Sequence, residues 1–266
     1  MTILDEIVAD KKKEIIADKR QYSVKSLESS KWFDKVTVSM KGFVVDPNKT
    51  GVIAEFKRRS PSKGLINGEA IVTDTVTGYA EAGVSGISVL TDEKYFGGTK
   101  ADLIEARDVV RNPILRKDFV VDEFQILQAK SIGADTILLI AAILTPSEIK
   151  ALASFAHSLN LEVLLEVHDL DELERSVNEH VDLLGVNNRD LKVFKTDIQV
   201  SKDLAAHIPN DFVKVSESGI SDPNKIADLK TYGYEGFLIG ENFMKTENPG
   251  QSAIEFGHQL RSIGVK

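Results

Sequence analysis

The chain contains no cysteine. Disulfides, thiolate catalysis and cysteine-ligated zinc or iron–sulfur centres are therefore excluded. Histidine is scarce as well: His157, His168, His180, His207 and His258 form no close pair and no HExxH spacing. Each reads as an ordinary surface or core histidine, and no metal site is expected. There is no long basic tract, and 33 basic against 41 acidic residues leave a net charge of −8. That balance argues against general binding to nucleic acid or an anionic membrane, so an anionic ligand must be held by a local cluster. No apolar run approaches membrane-spanning length. The start, Ile3-Leu4-Asp5-Glu6-Ile7-Val8, is acidic and amphipathic and lacks the uninterrupted apolar core of a secretory signal. A cytoplasmic protein is expected.

What is present is an ordinary globular composition, 42% apolar and 28% charged over 266 residues, enough for one large α/β domain or two small ones. The most informative stretch is Val52-Ile53-Ala54-Glu55-Phe56-Lys57-Arg58-Arg59-Ser60-Pro61-Ser62-Lys63-Gly64. Strand alternation puts Glu55 and Lys57 on one face of a segment that is otherwise apolar. A solvated edge strand would accommodate them, but apolar runs ending in polar groups recur at Pro113–Phe119, Glu162–Val167, Leu183–Leu191 and Phe212–Gly219. Solvated edges do not explain five such strands.

Short β-branched runs begin near positions 52, 86, 113, 135, 161, 182, 212 and 236, with helical patterns between them. Eight parallel strands joined by helices predict a (β/α)8 barrel over residues 51–266, in one domain with an N-terminal helical extension over residues 1–50. An open doubly wound sheet is the alternative, but no GxGxxG follows the first strand. Helix signals agree: the segment from Thr73 ends at Gly83, and Thr145-Pro146 supplies a cap and a first-turn proline. In the extension, Ile3, Leu4, Ile7, Val8 and Ile15 make an apolar stripe. The extension either stabilises one barrel end or helps to close the active site.

In such a barrel the strand C-termini converge, which brings Glu55, Lys57, Lys117, Glu166, Asn187 and Ser218 together. Mixed carboxylates and ammoniums support general acid–base catalysis, each well-placed group contributing about a hundredfold to ten-thousandfold in rate. A structural ion-pair network is the alternative. Gly219 and Gly240 follow the last two strands, where barrel loops offer backbone N–H groups to a phosphate, and Ser60 adds a hydroxyl. A phosphorylated small-molecule substrate is expected.

At these residues the chain resembles indole-3-glycerol phosphate synthase. The likeness is carried by Ile3-Leu4-Asp5-Glu6-Ile7-Val8-Ala9-Asp10-Lys11-Lys12, Glu55 to Gly64, Ile87 to Gly98, Leu115-Arg116-Lys117-Asp118-Phe119, Asn187-Asn188-Arg189-Asp190-Leu191 and Ser216-Glu217-Ser218-Gly219-Ile220. It implies ring closure, decarboxylation and dehydration of 1-(2-carboxyphenylamino)-1-deoxyribulose 5-phosphate in tryptophan biosynthesis, with no metal or organic cofactor. It further implies Lys117 as the acid that protonates the sugar carbonyl. Glu166 and Glu55 would serve the later proton transfers, with Lys57 as a second candidate acid. Asn187, Ser218 and Arg189 would orient the substrate. Leu90, Phe96, Phe119, Leu138 and Leu191 would wall the aromatic ring. Ser60, Gly219, Gly240 and the backbone N–H of Glu241 would hold the phosphate, with the Glu241 carboxylate turned away from that anion. Phosphoribosylanthranilate isomerase, another phosphate-binding barrel, is expected to use a cysteine that this chain lacks. A non-catalytic phosphate-binding barrel would have no need of the acid–base groups. A monomer is expected, with association with other tryptophan-pathway enzymes left open.

Overall fold

The computed structural model describes residues 2–190 and 194–265. Eight parallel strands close into a barrel: β1 (Val52–Phe56), β2 (Gly86–Leu90), β3 (Ile114–Lys117), β4 (Thr136–Ile140), β5 (Glu162–Val167), β6 (Leu183–Asn187), β7 (Val213–Glu217) and β8 (Tyr234–Ile239). Each pairs with its sequence neighbours, and β8 closes onto β1 through Val52–Phe237 and Ala54–Ile239. At least one helix follows every strand, so the protein is a (β/α)8 barrel. No helix among the described residues is long and apolar enough to cross a membrane.

The near-continuous apolar strands follow from burial on both faces. Outward residues such as Val52, Ala54 and Phe56 pack under the helices. Inward residues, among them Ile53, Leu115, Leu138, Leu164, Leu183, Val215 and Leu238, fill the barrel. Seven strands begin within one residue of the expected positions. The last begins at Tyr234, two residues before the expected 236, because exposed Glu235 interrupts the apolar run where the pairing with β7 shifts register.

Residues before β1 form α1 (Ile3–Gln21), α2 (Val24–Glu28) and α3 (Met40–Val44). A capping box between Thr2 and Asp5 starts α1, and Ile7, Lys11 and Ile15, one helical repeat apart, are its buried residues. Met40 and Val44 of α3 join the barrel's inner core, as does Ile7 of α1. Met40 lies so close over Gly86 that a Cβ there would collide with its sulfur. The extension therefore contributes to both ends of the barrel: α3 packs into the floor, while Ile3, Leu4 and Ile7 of α1 line the cavity at the opposite mouth.

Lys11 breaks the apolar stripe for a reason that periodicity does not reveal. Its ammonium is buried and lies 2.9 Å from Asp92, 3.0 Å from Asp118 and 2.8 Å from Glu14. Asp118 also binds Arg116 at 2.9 Å and the Thr91 hydroxyl at 2.7 Å. In β3 the alternation thus sends Arg116 and Asp118 outward into a buried polar cluster that anchors α1, and Lys117 inward.

Candidate active site

A cavity of about 570 Å³ opens at the C-terminal ends of the strands. Glu55, Lys57, Lys117, Glu166, Asn187 and Ser218 all line it, together with Ser60, Leu90, Phe96, Phe119, Leu138, Arg189, Gly219, Gly240 and Glu241. Leu191, expected in the apolar wall, lies outside the described residues.

At the floor, the Lys117 ammonium bridges two buried carboxylates, contacting Glu217 closely and Glu166 Oε2 at 3.3 Å. Burial alone would strip the proton from Lys117, but Glu217, Glu166 and Glu55 outweigh it, and its pKa lies well above the ordinary lysine value. The two carboxylates diverge. Burial, opposed by Lys117 and aided by repulsion from Glu166 and Glu55, pushes the Glu217 carboxyl up to about 7. Burial acts on Glu166 in the same sense, but Lys117, His168 and Asn187 overcome it and lower its pKa. One ammonium thus lies between an ionised carboxylate and one that titrates near neutrality.

Glu166 is held on three sides. Asn187 donates from Nδ2 to its Oε1 at 3.2 Å, while Asn187 Oδ1 accepts the backbone N–H of Arg189 at 3.0 Å, which fixes the amide orientation. His168 Nε2 lies 3.5 Å from the same Oε1. Across the mouth, Lys57 pairs with Glu55 at 2.6 Å. Two glycines make room for these acids: a Cβ at Gly240 would strike the Glu55 carboxylate, and one at Gly185 the Glu217 carboxylate. One cavity wall is apolar, with Phe96 and Phe119 ring centroids 6.0 Å apart beside Leu90 and Leu138.

The loop after β7 has two successive residues in the left-handed region, Ser218 at φ 69° and Gly219 at φ 78°. A non-glycine residue held there costs about 1–3 kcal/mol, and successive amides in such a turn make an anion-binding concavity. Ser60 and Ser62 lie 3.4 Å apart by their hydroxyls, and Arg189 donates to Ser62.

Glu241 lines the cavity, and its carboxylate lies 3.3 Å from Lys63 and 3.4 Å from Arg189. Burial would raise its pKa, but Lys63, Arg189 and Lys57 lower it.

Sequence reasoning missed Glu217 as a site residue, although parity could have found it. Val213, Val215 and Glu217 share one face of β7, and Val215 packs inside the barrel. Ile3, Leu4 and Ile7 also line the cavity, and nothing local in the extension signals that contact. His168, read as an ordinary histidine, faces Glu166.

A closed parallel barrel with a lysine–carboxylate centre at its C-terminal mouth defines a (β/α)8-barrel protein equipped for acid–base chemistry. Residues 4–256 match the family model described as indole-3-glycerol phosphate synthase. The indole-3-glycerol phosphate synthase of Bacteroides thetaiotaomicron is 48% identical over 254 residues, covering 96% of this chain and 97% of that protein. The synthases of Burkholderia ambifaria and Burkholderia multivorans are 40% and 41% identical, each alignment covering 94% of this chain and 96% of the relative. The chain belongs to the indole-3-glycerol phosphate synthase family, carboxy-lyases of tryptophan biosynthesis.

Proposed function

We infer that this chain converts 1-(2-carboxyphenylamino)-1-deoxyribulose 5-phosphate to indole-3-glycerol phosphate by lysine and glutamate acid–base catalysis, without a metal or organic cofactor. The observation that carries this reading is the Lys117 ammonium held between the buried carboxylates of Glu166 and Glu217 on the cavity floor.

The aromatic carbon that bears the carboxylate attacks the sugar carbonyl carbon, and the carbonyl oxygen takes a proton from Lys117. Carbon dioxide then leaves, and the electrons of the broken C–C bond restore the aromatic ring. Dehydration adds a proton to the new hydroxyl and removes one from the adjacent carbon. Glu166, ionised and held by Asn187, is the base for that carbon. Lys57, paired with Glu55, is the second acid and a partner for the substrate carboxylate. Glu217 holds the Lys117 ammonium in place. Bending the substrate so that its reacting carbons meet is a positioning task, to which the wall of Leu90, Phe96, Phe119 and Leu138 contributes. Ser60 and the amides of Gly219, Gly240 and Glu241 hold the phosphate, and Arg189 and Ser218 orient the sugar chain. A cytoplasmic monomer goes with this reading.

Chelator-treated protein incubated with the anthranilate-derived substrate should develop indole fluorescence. Lys117→Met should reduce turnover by at least about a hundredfold while leaving affinity for inorganic phosphate largely intact. A folded wild-type protein that produces no indole signal would leave the barrel without this activity.

A further inference from the structure

His168 ends β5 one residue beyond Val167 and packs between two acids. Its backbone N–H donates to Glu172 Oε2 at 2.8 Å, and its Nδ1 lies 3.1 Å from the same oxygen. Its other nitrogen, Nε2, is buried without a hydrogen-bond partner among the described residues and faces Glu166 Oε1 at 3.5 Å. A buried polar atom left in this state calls for a functional explanation. A charged imidazole donates from both nitrogens, which suits a ring with a carboxylate on either side.

The two acids open onto different spaces. Glu166 lines the active-site cavity, whereas Glu172 and His168 line a second cavity of about 980 Å³ beside it, bounded by α1 and the segments after β4, β5 and β6. Glu172, His168, Glu166 and Lys117 therefore form a continuous chain of titratable groups from the second cavity to the catalytic floor.

The reaction inferred above, on which this proposal rests, needs such a chain. A carboxylate leaves as neutral carbon dioxide, so each turnover consumes one proton from solvent. Two protons are given to oxygen, one at ring closure and one at dehydration, and only one is recovered from carbon. With substrate in the first cavity, a path from another side would recharge Lys117 without passing the bound molecule.

We propose that Glu172 and His168 form the proton-entry path to Glu166 and, through it, to Lys117. In one cycle Lys117 donates to the carbonyl oxygen and is reprotonated by Glu166 across their 3.3 Å contact. His168 delivers from Nε2 to Glu166, takes a proton at Nδ1 from Glu172, and Glu172 is recharged by solvent in the second cavity. Glu166 later takes the proton from carbon and returns it by the same path, and Lys57, spent on the hydroxyl, is recharged from solvent at the cavity mouth once product leaves; two protons enter and one leaves, so each cycle consumes one solvent proton. His168 does not touch substrate; it is a positioning and relay residue that acts through Glu166.

The surroundings favour the charged ring. Burial disfavours it, but Glu172, Glu166 and Glu217 together raise the His168 pKa. Asp5 and Lys12 of α1, with Asp169 and Arg189, line the second cavity. Lys117 lies on the far side of Glu166.

The test is His168→Gln, which keeps a donor toward Glu166 but cannot relay a proton. Turnover should fall at least about tenfold with KM within about twofold, since a lost proton-transfer group costs rate rather than ground-state binding. The solvent deuterium isotope effect on kcat should rise, and added imidazole should restore turnover several-fold. A variant with wild-type kcat would overturn the relay. So would a slow variant whose isotope effect is unchanged and which imidazole does not rescue. If His168→Gln fails to fold by circular dichroism, Glu172→Gln carries the test with turnover and the isotope effect as readouts and with acetate in place of imidazole. Wild-type protein without indole production would overturn the parent reading, whereas active wild type with an unaltered His168→Gln variant would overturn the relay alone.

Discussion

Glu217→Gln should slow the enzyme and at the same time stabilise it, in a manner set by pH. The carboxyl is buried beside Glu166 and Glu55, and these effects raise its pKa from 4.5 to about 7 even with Lys117 in contact. The folded state therefore keeps this proton at pH values where the unfolded chain has released it. The contribution of Glu217 to stability is accordingly undiminished below about pH 4.5, falls as pH rises toward 7, and then levels off. Integrating between those two values gives a loss on the order of 2–3 kcal/mol between pH 5 and pH 8. Glutamine mimics the neutral acid and has no such loss. Urea denaturation of both proteins at pH 5 and pH 8 should show the variant gaining on the order of 2–3 kcal/mol on wild type over that interval. The comparison across pH removes any fixed cost of placing an amide where Glu217 Oε1 has no hydrogen-bond partner among the described residues. Turnover at pH 8 should fall about a hundredfold or more, because Lys117 loses the anion that holds it. A stability difference that does not change with pH would refute the argument.

Three further outcomes follow from other contacts. Gly185→Ala should lose about 1–3 kcal/mol and most of its activity, because the new methyl meets the Glu217 carboxylate and a Leu164 methyl at 3.2 Å; a variant with intact kcat would contradict the close packing. Lys11→Met should cost about 3–5 kcal/mol in urea denaturation, since Asp92 and Asp118 stay buried without their shared cation. Glu241→Gln should strengthen inhibition by inorganic phosphate by up to about fivefold at low ionic strength, fading in high salt, because a part-exposed carboxylate no longer competes for Lys63 and Arg189; unchanged or weaker inhibition would place the anion elsewhere.

Much of the molecule was legible in the chain because its signals are local. Period-two alternation in Val52–Phe56 decides that Glu55 faces inward while Ala54 faces the helices, and the same rule orients Lys117 between Arg116 and Asp118. Repetition of such strands at helix-sized intervals leaves a closed barrel as the economical arrangement, and closure forces their C-terminal residues into one mouth. Strand boundaries were legible wherever the apolar run began cleanly, and failed only at Tyr234, where Glu235 interrupts it.

The sequence by itself therefore determined the barrel, the mouth at which chemistry-bearing residues collect, and the families of motif that carry them. Tertiary structure alone decided what those residues do to one another. Whether Lys117 stays charged, why Glu217 and Glu166 titrate apart, which cations Glu241 pairs with, and that His168 faces Glu166 all depend on distances and burial between strands far apart in the chain. Electrostatic energy depends on separation and dielectric environment, and neither is written in the spacing of residues along a strand.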